Sequence, residues 1–264
     1  ARRHDRDRRM ISLNWLPATA YFYVLIFARV GSILMLLPAL GEMTIPARMR
    51  LSFGLVFSLV LYPLVQPSLP ALPADVLQVL VYLFHELAVG LIFGSIVRLV
   101  TMAAAVAGSV IAFQTGLSGA QGADPVNGGA QGALIGAFLS MLGVTLIFAT
   151  DLHHVELMAI RDSYMIFSPK EPLMFGDAAQ MAIQSAASAF VIGVQMSAPF
   201  IVLGLVFYLG MGLLGRMMPQ LQVFFVVMPA TIWVGLILVA LLLTMMMGWY
   251  LTHFENELAQ FRGA

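Results

Sequence analysis

Long apolar blocks, separated by short polar or proline-rich connections, organise this chain. A helix of about 20 apolar residues matches the hydrocarbon thickness of a bilayer. The blocks predict helices and not the strands of a membrane barrel, because they lack the alternating pattern of roughly ten-residue segments that barrels show. The six blocks cover Trp15 to Leu37, Leu51 to Val65, Val76 to Phe113, Ala133 to Thr150, Ala178 to Leu214 and Val223 to Leu251.

The blocks differ in length. Leu51 to Val65 is short for a full crossing, whereas Val76 to Phe113 and Ala178 to Leu214 are longer than one crossing needs. An over-long apolar helix must tilt, bend or extend beyond the bilayer. The glycine-rich stretch from Gly116 to Gly132 contains an Asp124-Pro125 pair, so we predict that it is not a regular helix.

Two polar segments complete the pattern. In the most polar section, residues 151–177, the spacing of apolar positions predicts a short amphipathic helix that ends before Pro169 and Pro172. The last apolar block precedes an amphipathic tail that carries Glu255 and Arg262. We therefore predict an all-α membrane protein with about six long apolar helices arranged as helical hairpins.

Composition supports this assignment. Of the 264 residues, 61% are hydrophobic and 10% are charged, whereas soluble domains have about 25% charged residues. A separate water-exposed domain is therefore not expected. The chain has no cysteine, which excludes disulfides and cysteine-based metal sites.

The balanced net charge conceals an uneven distribution. Five of the thirteen basic residues lie in the first nine positions, and the rest of the chain carries eight basic and eleven acidic groups, a net charge of −3. We set residues 1–9 apart as a basic extension that need not be native, and expect one helical membrane domain over residues 10–264. No cleavable signal peptide is predicted. Positive charges in a six-span arrangement fall three on each side, so no orientation follows from them.

A strip of regularly spaced residues marks the third block. Glu86, Gly90, Gly94 and Arg98 follow one another every four residues, which predicts one helical face with a flat glycine surface for close helix contact. Glu86 and Arg98 lie about 18 Å apart along a helix and cannot pair directly. The strip is equally compatible with packing inside one chain and with contacts between subunits. Similar strips are Gly128, Gly132 and Gly136, and Ser185, Ala189, Gly193 and Ser197.

Two segments contain residue types that occur in catalytic or metal-binding sites. Gly116-Leu117-Ser118-Gly119 matches the G-x-S-G pattern of rhomboid intramembrane proteases. That chemistry needs a histidine close to the serine, and His253 at the end of the last block is poorly placed for it. Adjacent helical side chains diverge, so His153 and His154 do not predict a metal site.

Six motifs in order carry a family resemblance. They are Phe27-Ala28-Arg29-Val30-Gly31; Leu37 to Gly41 with Ile45 to Arg50; Glu86 to Leu91; Ala107-Gly108 leading to Gln114 to Ser118; Asp124-Pro125; and Ala198-Pro199 followed by Leu213 to Phe224. Through these motifs the chain resembles the FliR family of flagellar type III export-gate subunits, whose injectisome counterpart is SctT. The Arg-x-x-Pro-Gln turn is the most specific element. Thr150 to His154 departs from the family, which often shows a single histidine there.

The resemblance implies a structural and gating subunit of the flagellar type III protein export gate in the basal body of the bacterial inner membrane. It implies FliP-like and FliQ-like partners, nearby FlhB-like and FlhA-like proteins, and rod proteins above the gate, within or against the lipid membrane. It implies no enzyme activity, cofactor, metal or nucleic acid. Some of the helices are then not ordinary bilayer crossings.

Residue roles follow from the same resemblance. The gate loop would contain Gln114, Gly116, Leu117, Ser118, Asp124 and Pro125. The contacts for assembly would involve Glu86, Gly90, Gly94, Arg98, Arg216, Pro219 and Gln220. Two alternatives stay open from the residues themselves: a small-solute transporter that uses Glu86 and Arg98, and a rhomboid-like protease that uses Ser118.

Overall fold

The computed structural model describes residues 16–38, 40–41, 45–117, 134–171, 175–218 and 223–261. Within these ranges the chain is helical and has no strand. The seven helices are α1 Leu16–Leu36, α2 Ala47–Val65, α3 Val76–Gln114, α4 Leu134–Ala149, α5 Leu152–Ile166, α6 Phe175–Met217 and α7 Val223–Ala259. A short 3₁₀ turn, Gln66–Ser68, continues α2.

The predicted all-α membrane fold is confirmed, with two corrections to the blocks. The block Leu51 to Val65 is short for a full crossing, but α2 begins at Ala47 and includes Arg48 and Arg50 in its first turn. Arginine fits there because its long side chain carries the charge to the helix end. The amphipathic tail is also no separate element, since α7 continues without interruption to Ala259.

Helix α3 lies at the centre of the fold and contacts α1, α4, α6 and α7. Small residues allow its closest approaches. A Cβ added to Gly108 of α3 would overlap the backbone of Gly136 in α4, and one added to Gly193 of α6 would lie 2.8 Å from Val106. Glycine thus lets helix backbones meet without an intervening side chain. The buried apolar core draws residues from all seven helices.

Five helices are long and apolar enough to cross a membrane, namely α1, α2, α3, α6 and α7. The pair α4 and α5 meets the same criterion together but bends by 80° at its junction. The 43-residue α6 extends about 65 Å, about twice the hydrocarbon thickness. The over-long helices predicted from the block lengths are therefore present.

The spans differ in how much of them the chain itself covers. We compare the most apolar 18-residue stretch of each helix. In α3, 50% of this stretch is buried by the chain, compared with 28% in α6, 28% in α7 and 22% in α2. Exposed large apolar side chains run along α6 and include Val202, Leu205, Leu209 and Leu213. Much of the apolar surface of α2, α6 and α7 consequently faces outward.

Candidate functional site

A buried arginine on α1 forms the best-defined polar site of the described chain. The guanidinium of Arg29 donates two hydrogen bonds to the carboxylate of Glu86 on α3, from Nε to Oε2 at 2.7 Å and from Nη2 to Oε1 at 3.0 Å. The side chains are 0% and 1% exposed. Such a two-point geometry is the strongest form of arginine–carboxylate contact.

The same guanidinium also binds the end of α5. Nη1 donates to the carbonyl oxygen of Ser163 at 3.0 Å, and Nη2 donates to that of Phe167 at 2.9 Å. The carbonyl oxygen of Ser163 also accepts the backbone N–H of Phe167. The C-terminal end of a helix carries partial negative charge, so a cation there is favourable. The ring of Tyr164 lies 4.0 Å from the guanidinium carbon, close enough for a cation–π contact.

We call this set the Arg29 network: Arg29, Glu86, Ser163, Tyr164 and Phe167. It joins α1, α3 and α5, whose members are up to 138 positions apart in the chain. The charge of Arg29 is compensated by a carboxylate, two carbonyl groups and an aromatic face. A buried charge is tolerated when it is paired and hydrogen-bonded in this way.

The sequence singled out Glu86 as a charge that needs a partner, but did not identify Arg29 as that partner. Arg29 is the only charged residue of the first apolar block, and intramembrane charges commonly pair with one another. That rule could have identified Arg29 as a candidate partner of Glu86. Because Arg29 already neutralises Glu86, the structure offers no free carboxylate there for a transporter.

The predicted strip on α3 divides into two parts. Glu86, Gly90 and Gly94 are buried, and a Cβ added to Gly90 would lie 2.6 Å from the backbone oxygen of Arg29. These three residues therefore pack against α1 of the same chain in this conformation. Arg98, in contrast, is exposed.

The prediction that Arg98 shares this face was wrong. Residues in an α-helix advance about 100° each, so a spacing of four drifts by about 40° per step. Three steps turn Arg98 about 120° away from Glu86. The second strip with this spacing is buried at all four positions, namely Ser185, Ala189, Gly193 and Ser197. Its Gly193 packs against Val106 and Ala103 of α3.

The end of α3 forms a second candidate site. Thr115 hydrogen-bonds back to Ile111 through both its backbone N–H and its hydroxyl group, and Gly116 follows with a φ of 71°. Such a left-handed residue ends a helix, and glycine adopts this conformation without strain. The sequence-predicted break of the helix near Gly116 is therefore explained locally.

Two glycines leave space for the side chains at the end of α3. The side chain of Gln114 lies against Gly204 of α6, and the side chain of Thr115 lies against Gly235 of α7. A Cβ on either glycine would overlap these side chains. The chain thus leaves α3 from a point clamped between α6 and α7, with Leu117 partly buried against the core.

The remaining predicted site residues are spread more widely. Arg216 is exposed in the last turn of α6. Five residues lie outside the described residues: Ser118, Asp124, Pro125, Pro219 and Gln220. Gln114, Gly116 and Leu117 lie together at the end of α3. Arg216 lies at the end of α6, and the Arg29 network joins α1, α3 and α5.

The geometry of the histidine pair corrects the sequence argument. Asp151 has a left-handed conformation with a φ of 60°, and one donor atom from each of Asp151, His153 and His154 lies within 4.8 Å of the others. The two imidazole rings are 4.1 Å apart. The expectation that these neighbouring side chains diverge is therefore not met, although both histidines lie in the first turn of α5.

The protease interpretation receives no support from the described geometry. A Cβ added to Gly116 would lie 3.7 Å from the hydroxyl oxygen of Thr231 on α7. His253 is 22 residues farther along the same helix, a distance of about 33 Å. A histidine must reach hydrogen-bond distance of a serine to activate it. The described end of α3 at Gly116 lies beside Thr231 and not beside His253, and Ser118 itself is outside the described residues.

Residues 20–257 match the family model described as bacterial export proteins, family 1. The chain belongs to this family. The matched range includes every described helix apart from the first turn of α1 and the last turn of α7.

Relatives named flagellar biosynthetic protein FliR specify the branch. The Caulobacter vibrioides protein is 45% identical over 224 residues, which cover 85% of this chain and 89% of the relative. The Bacillus subtilis protein is 32% identical over 82% of this chain and 83% of its own length. The Escherichia coli protein is 30% identical, with 88% and 86% covered. The FliR resemblance is confirmed, and the chain is a membrane-embedded component of a flagellar export apparatus.

Proposed function

We propose that this chain is a structural and gating subunit of the flagellar type III protein export gate in the bacterial inner membrane. It would act without catalysing a reaction and would assemble with FliP-like and FliQ-like subunits. FlhB-like and FlhA-like proteins would lie nearby, and rod proteins would follow above the gate. Membership of the FliR family is the observation that carries this proposal.

The exposed helices support an assembly role. Helices α6 and α7 form a hairpin of 43 and 37 residues, and both are longer than a bilayer requires. Only 28% of the most apolar window of each is buried by the chain itself. Apolar helix surface that extends beyond the hydrocarbon layer needs cover from protein, since contiguous exposed apolar patches mark interaction sites.

The end of α3 supports a gating role. Gln114 and Thr115 are anchored between α6 and α7, and the glycine-rich stretch begins directly after this anchor. A segment rich in glycine bends without becoming a helix. Irregular backbone at membrane depth is tolerated where protein or a water-filled passage satisfies its polar groups. A sealing loop needs a fixed point of attachment, and Gln114 and Thr115 provide one at the end of α3.

Site-specific cross-linking tests the assembly role, and the absence of native cysteine makes it clean. Single cysteines at Leu205 and Leu209, which are 59% and 62% exposed, should cross-link to a FliP-like or FliQ-like subunit in native membranes. A cysteine at Phe200, which is 0% exposed on the same helix, is the control and should not react. If neither cysteine cross-links to another protein and the chain purifies alone, the assembly role is contradicted.

Ion leakage tests the gating role separately. Deleting Gly119 to Gly122 should preserve co-purification with the partner subunits but make the membrane permeable to small ions. The matched variant Gly212→Ala, at a position with open space around it, should leave permeability unchanged. If the deletion variant assembles and the membrane stays tight, the segment does not seal the passage.

A further inference from the structure

The junction between α4 and α5 carries three side chains of the kinds that bind metal ions. Asp151 lies directly before α5, and His153 and His154 lie in its first turn. One donor atom from each lies within 4.8 Å of the others. Among the described residues, this is the only group of three or more histidine or acidic side chains that converges closely enough to hold one ion. The export role proposed above makes no use of it.

The donor types indicate which cation the group would take. Imidazole nitrogen suits zinc and its neighbours among the transition metals, whereas magnesium and calcium take oxygen ligands. Zinc binds histidine nitrogen at about 2.0–2.1 Å in a tetrahedral arrangement, which places two ligand atoms about 3.3 Å apart. The donor atoms would therefore have to approach one another by at most about 1.5 Å. The side chains of Asp151 and His154 are 78% and 59% exposed, so they have room for this adjustment.

A buried carboxyl group one turn farther along α5 is a second, independent observation. Glu156 is 3% exposed, and its Oε1 is buried without a hydrogen-bond partner in the described part of the chain. The same is true of Nδ1 of His153. The two residues are three positions apart, which makes them neighbours on one helical face. Because an unpaired buried polar atom is costly, a hydrogen bond between them would satisfy both.

Such a pairing is what a metal-bound histidine needs. A histidine ligand usually donates its second ring N–H to a carboxylate or carbonyl group, which fixes the orientation of the ring. Nδ1 of His153 directed at Glu156 would leave Nε2 for the metal ion. The ring of His153 also stacks on Phe148 at the end of α4, with 5.0 Å between the ring centroids, and this contact further limits its orientation.

We propose that Asp151, His153 and His154 bind a zinc-type divalent cation, with Glu156 as the positioning residue for His153. Binding would hold Asp151 against the first turn of α5 and thereby stabilise the junction at which α4 and α5 bend by 80°. The proposal does not depend on the export role, because it rests on the side chains of this junction alone.

Isothermal titration with zinc chloride tests the ligands. The full-length chain is purified in detergent, and any histidine tag is removed. Wild type should bind one zinc ion, and its thermal midpoint should rise, since a ligand that binds the folded state stabilises it. Asp151→Asn and His154→Ala should each weaken binding about ten-fold or more, because changes outside the ligand set already cost about 10- to 100-fold. The controls Asp177→Asn, at an exposed position of α6, and His85→Gln, on α3, should keep wild-type affinity.

Two variants of Glu156 test the positioning role. Glu156→Leu removes the acceptor and should weaken zinc binding about 10- to 100-fold. Its thermal midpoint without zinc should stay unchanged or rise, because an unpaired buried carboxyl group is lost. A residue with a merely structural role would instead lower the midpoint. Glu156→Gln should restore part of the affinity, since its amide oxygen can still accept a hydrogen bond from His153.

Four outcomes would overturn the proposal. Zinc binding by wild type that is no tighter than binding by His154→Ala would show that these residues are not the ligands. A loss of affinity in His85→Gln as large as that in the ligand variants would show the same. Magnesium chloride that binds as tightly as zinc chloride would reduce the site to an exposed carboxylate. Equal zinc affinity in wild type and Glu156→Leu would remove the positioning role of Glu156.

Discussion

The Arg29 network predicts a large loss of stability when Glu86 is neutralised. Glu86→Gln keeps the size of the side chain but removes the negative charge that faces Arg29. The amide oxygen of the new glutamine can still accept one hydrogen bond from Arg29. The guanidinium, which is 0% exposed, keeps two carbonyl groups and an aromatic ring as its other partners but loses its counter-ion. Burial without a counter-ion is the reason for the expected loss.

The magnitude follows from the contacts that are weakened. Two charge-assisted hydrogen bonds, at 2.7 and 3.0 Å, join Arg29 to Glu86. A hydrogen bond to a charged group contributes about 1.5–3 kcal/mol. The variant loses one of these two bonds and leaves the other to a neutral amide oxygen. Breaking one partner of a buried ion pair costs about 3–5 kcal/mol in other proteins. We therefore expect a decrease of about 3–5 kcal/mol in the free energy of unfolding.

The assay is reversible unfolding in mixed micelles, followed by circular dichroism. Glu255→Gln is the matched control, because Glu255 is an exposed carboxylate on α7, and it should change stability by less than about 0.5 kcal/mol. A second variant, Arg29→Met combined with Glu86→Leu, removes both charges together. It should be more stable than Glu86→Gln, since replacing a whole buried ion pair with apolar side chains is often nearly neutral.

A loss of less than about 1 kcal/mol for Glu86→Gln would refute this reasoning. It would mean that the carbonyl groups of Ser163 and Phe167 suffice to stabilise the buried guanidinium. A double variant that is no more stable than Glu86→Gln would refute it differently, because the cost would then arise from lost packing and not from an unpaired charge.

Three further predictions concern single contacts, each measured as a shift of the unfolding free energy or thermal midpoint. Gly108→Ala should cost about 1–3 kcal/mol because its Cβ would meet the backbone of Gly136, whereas Gly210→Ala, with no atom within 4 Å, should be neutral or stabilising; equal shifts would contradict the close approach of α3 and α4. Gly116→Ala should cost about 1–2 kcal/mol, since the site has space but a φ of 71°, and no loss would mean that this conformation is not required. Tyr164→Leu should cost about 1–2 kcal/mol through the lost cation–π contact. Tyr164→Phe should be nearly neutral, because the hydroxyl has no hydrogen-bond partner within the described chain. Similar losses in both variants would assign the effect to the hydroxyl group.

The sequence alone was sufficient to predict the helices and the membrane environment. The apolar block Val76 to Phe113 corresponds to α3 within one residue at its end. This success has a local cause, since in a bilayer the backbone must satisfy its own hydrogen bonds and a long apolar block has little choice but a helix. The motifs that resemble FliR also depend on residue order alone, and the comparisons confirmed them.

Boundaries that carry charge were harder to predict. Hydropathy places the start of the second helix at Leu51, because Arg48 and Arg50 interrupt the apolar run. A hydropathy pattern treats these arginines as outside the span, although their long side chains let the helix begin before them. The face of Arg98 was missed for a related reason, since a repeat of four residues differs slightly from the 3.6-residue turn.

Partners distant in sequence were decided only by the tertiary structure. Arg29 and Glu86 are 57 positions apart, and Arg29 and Phe167 are 138 apart. No local pattern encodes which buried charges meet, because that depends on how α1 and α5 pack around α3. The sequence determined that this protein consists of long apolar helices and that Arg29 and Glu86 lie inside apolar blocks. Packing determined that these charges neutralise each other, because a charge removed from water is stable only beside a partner that the fold brings to it.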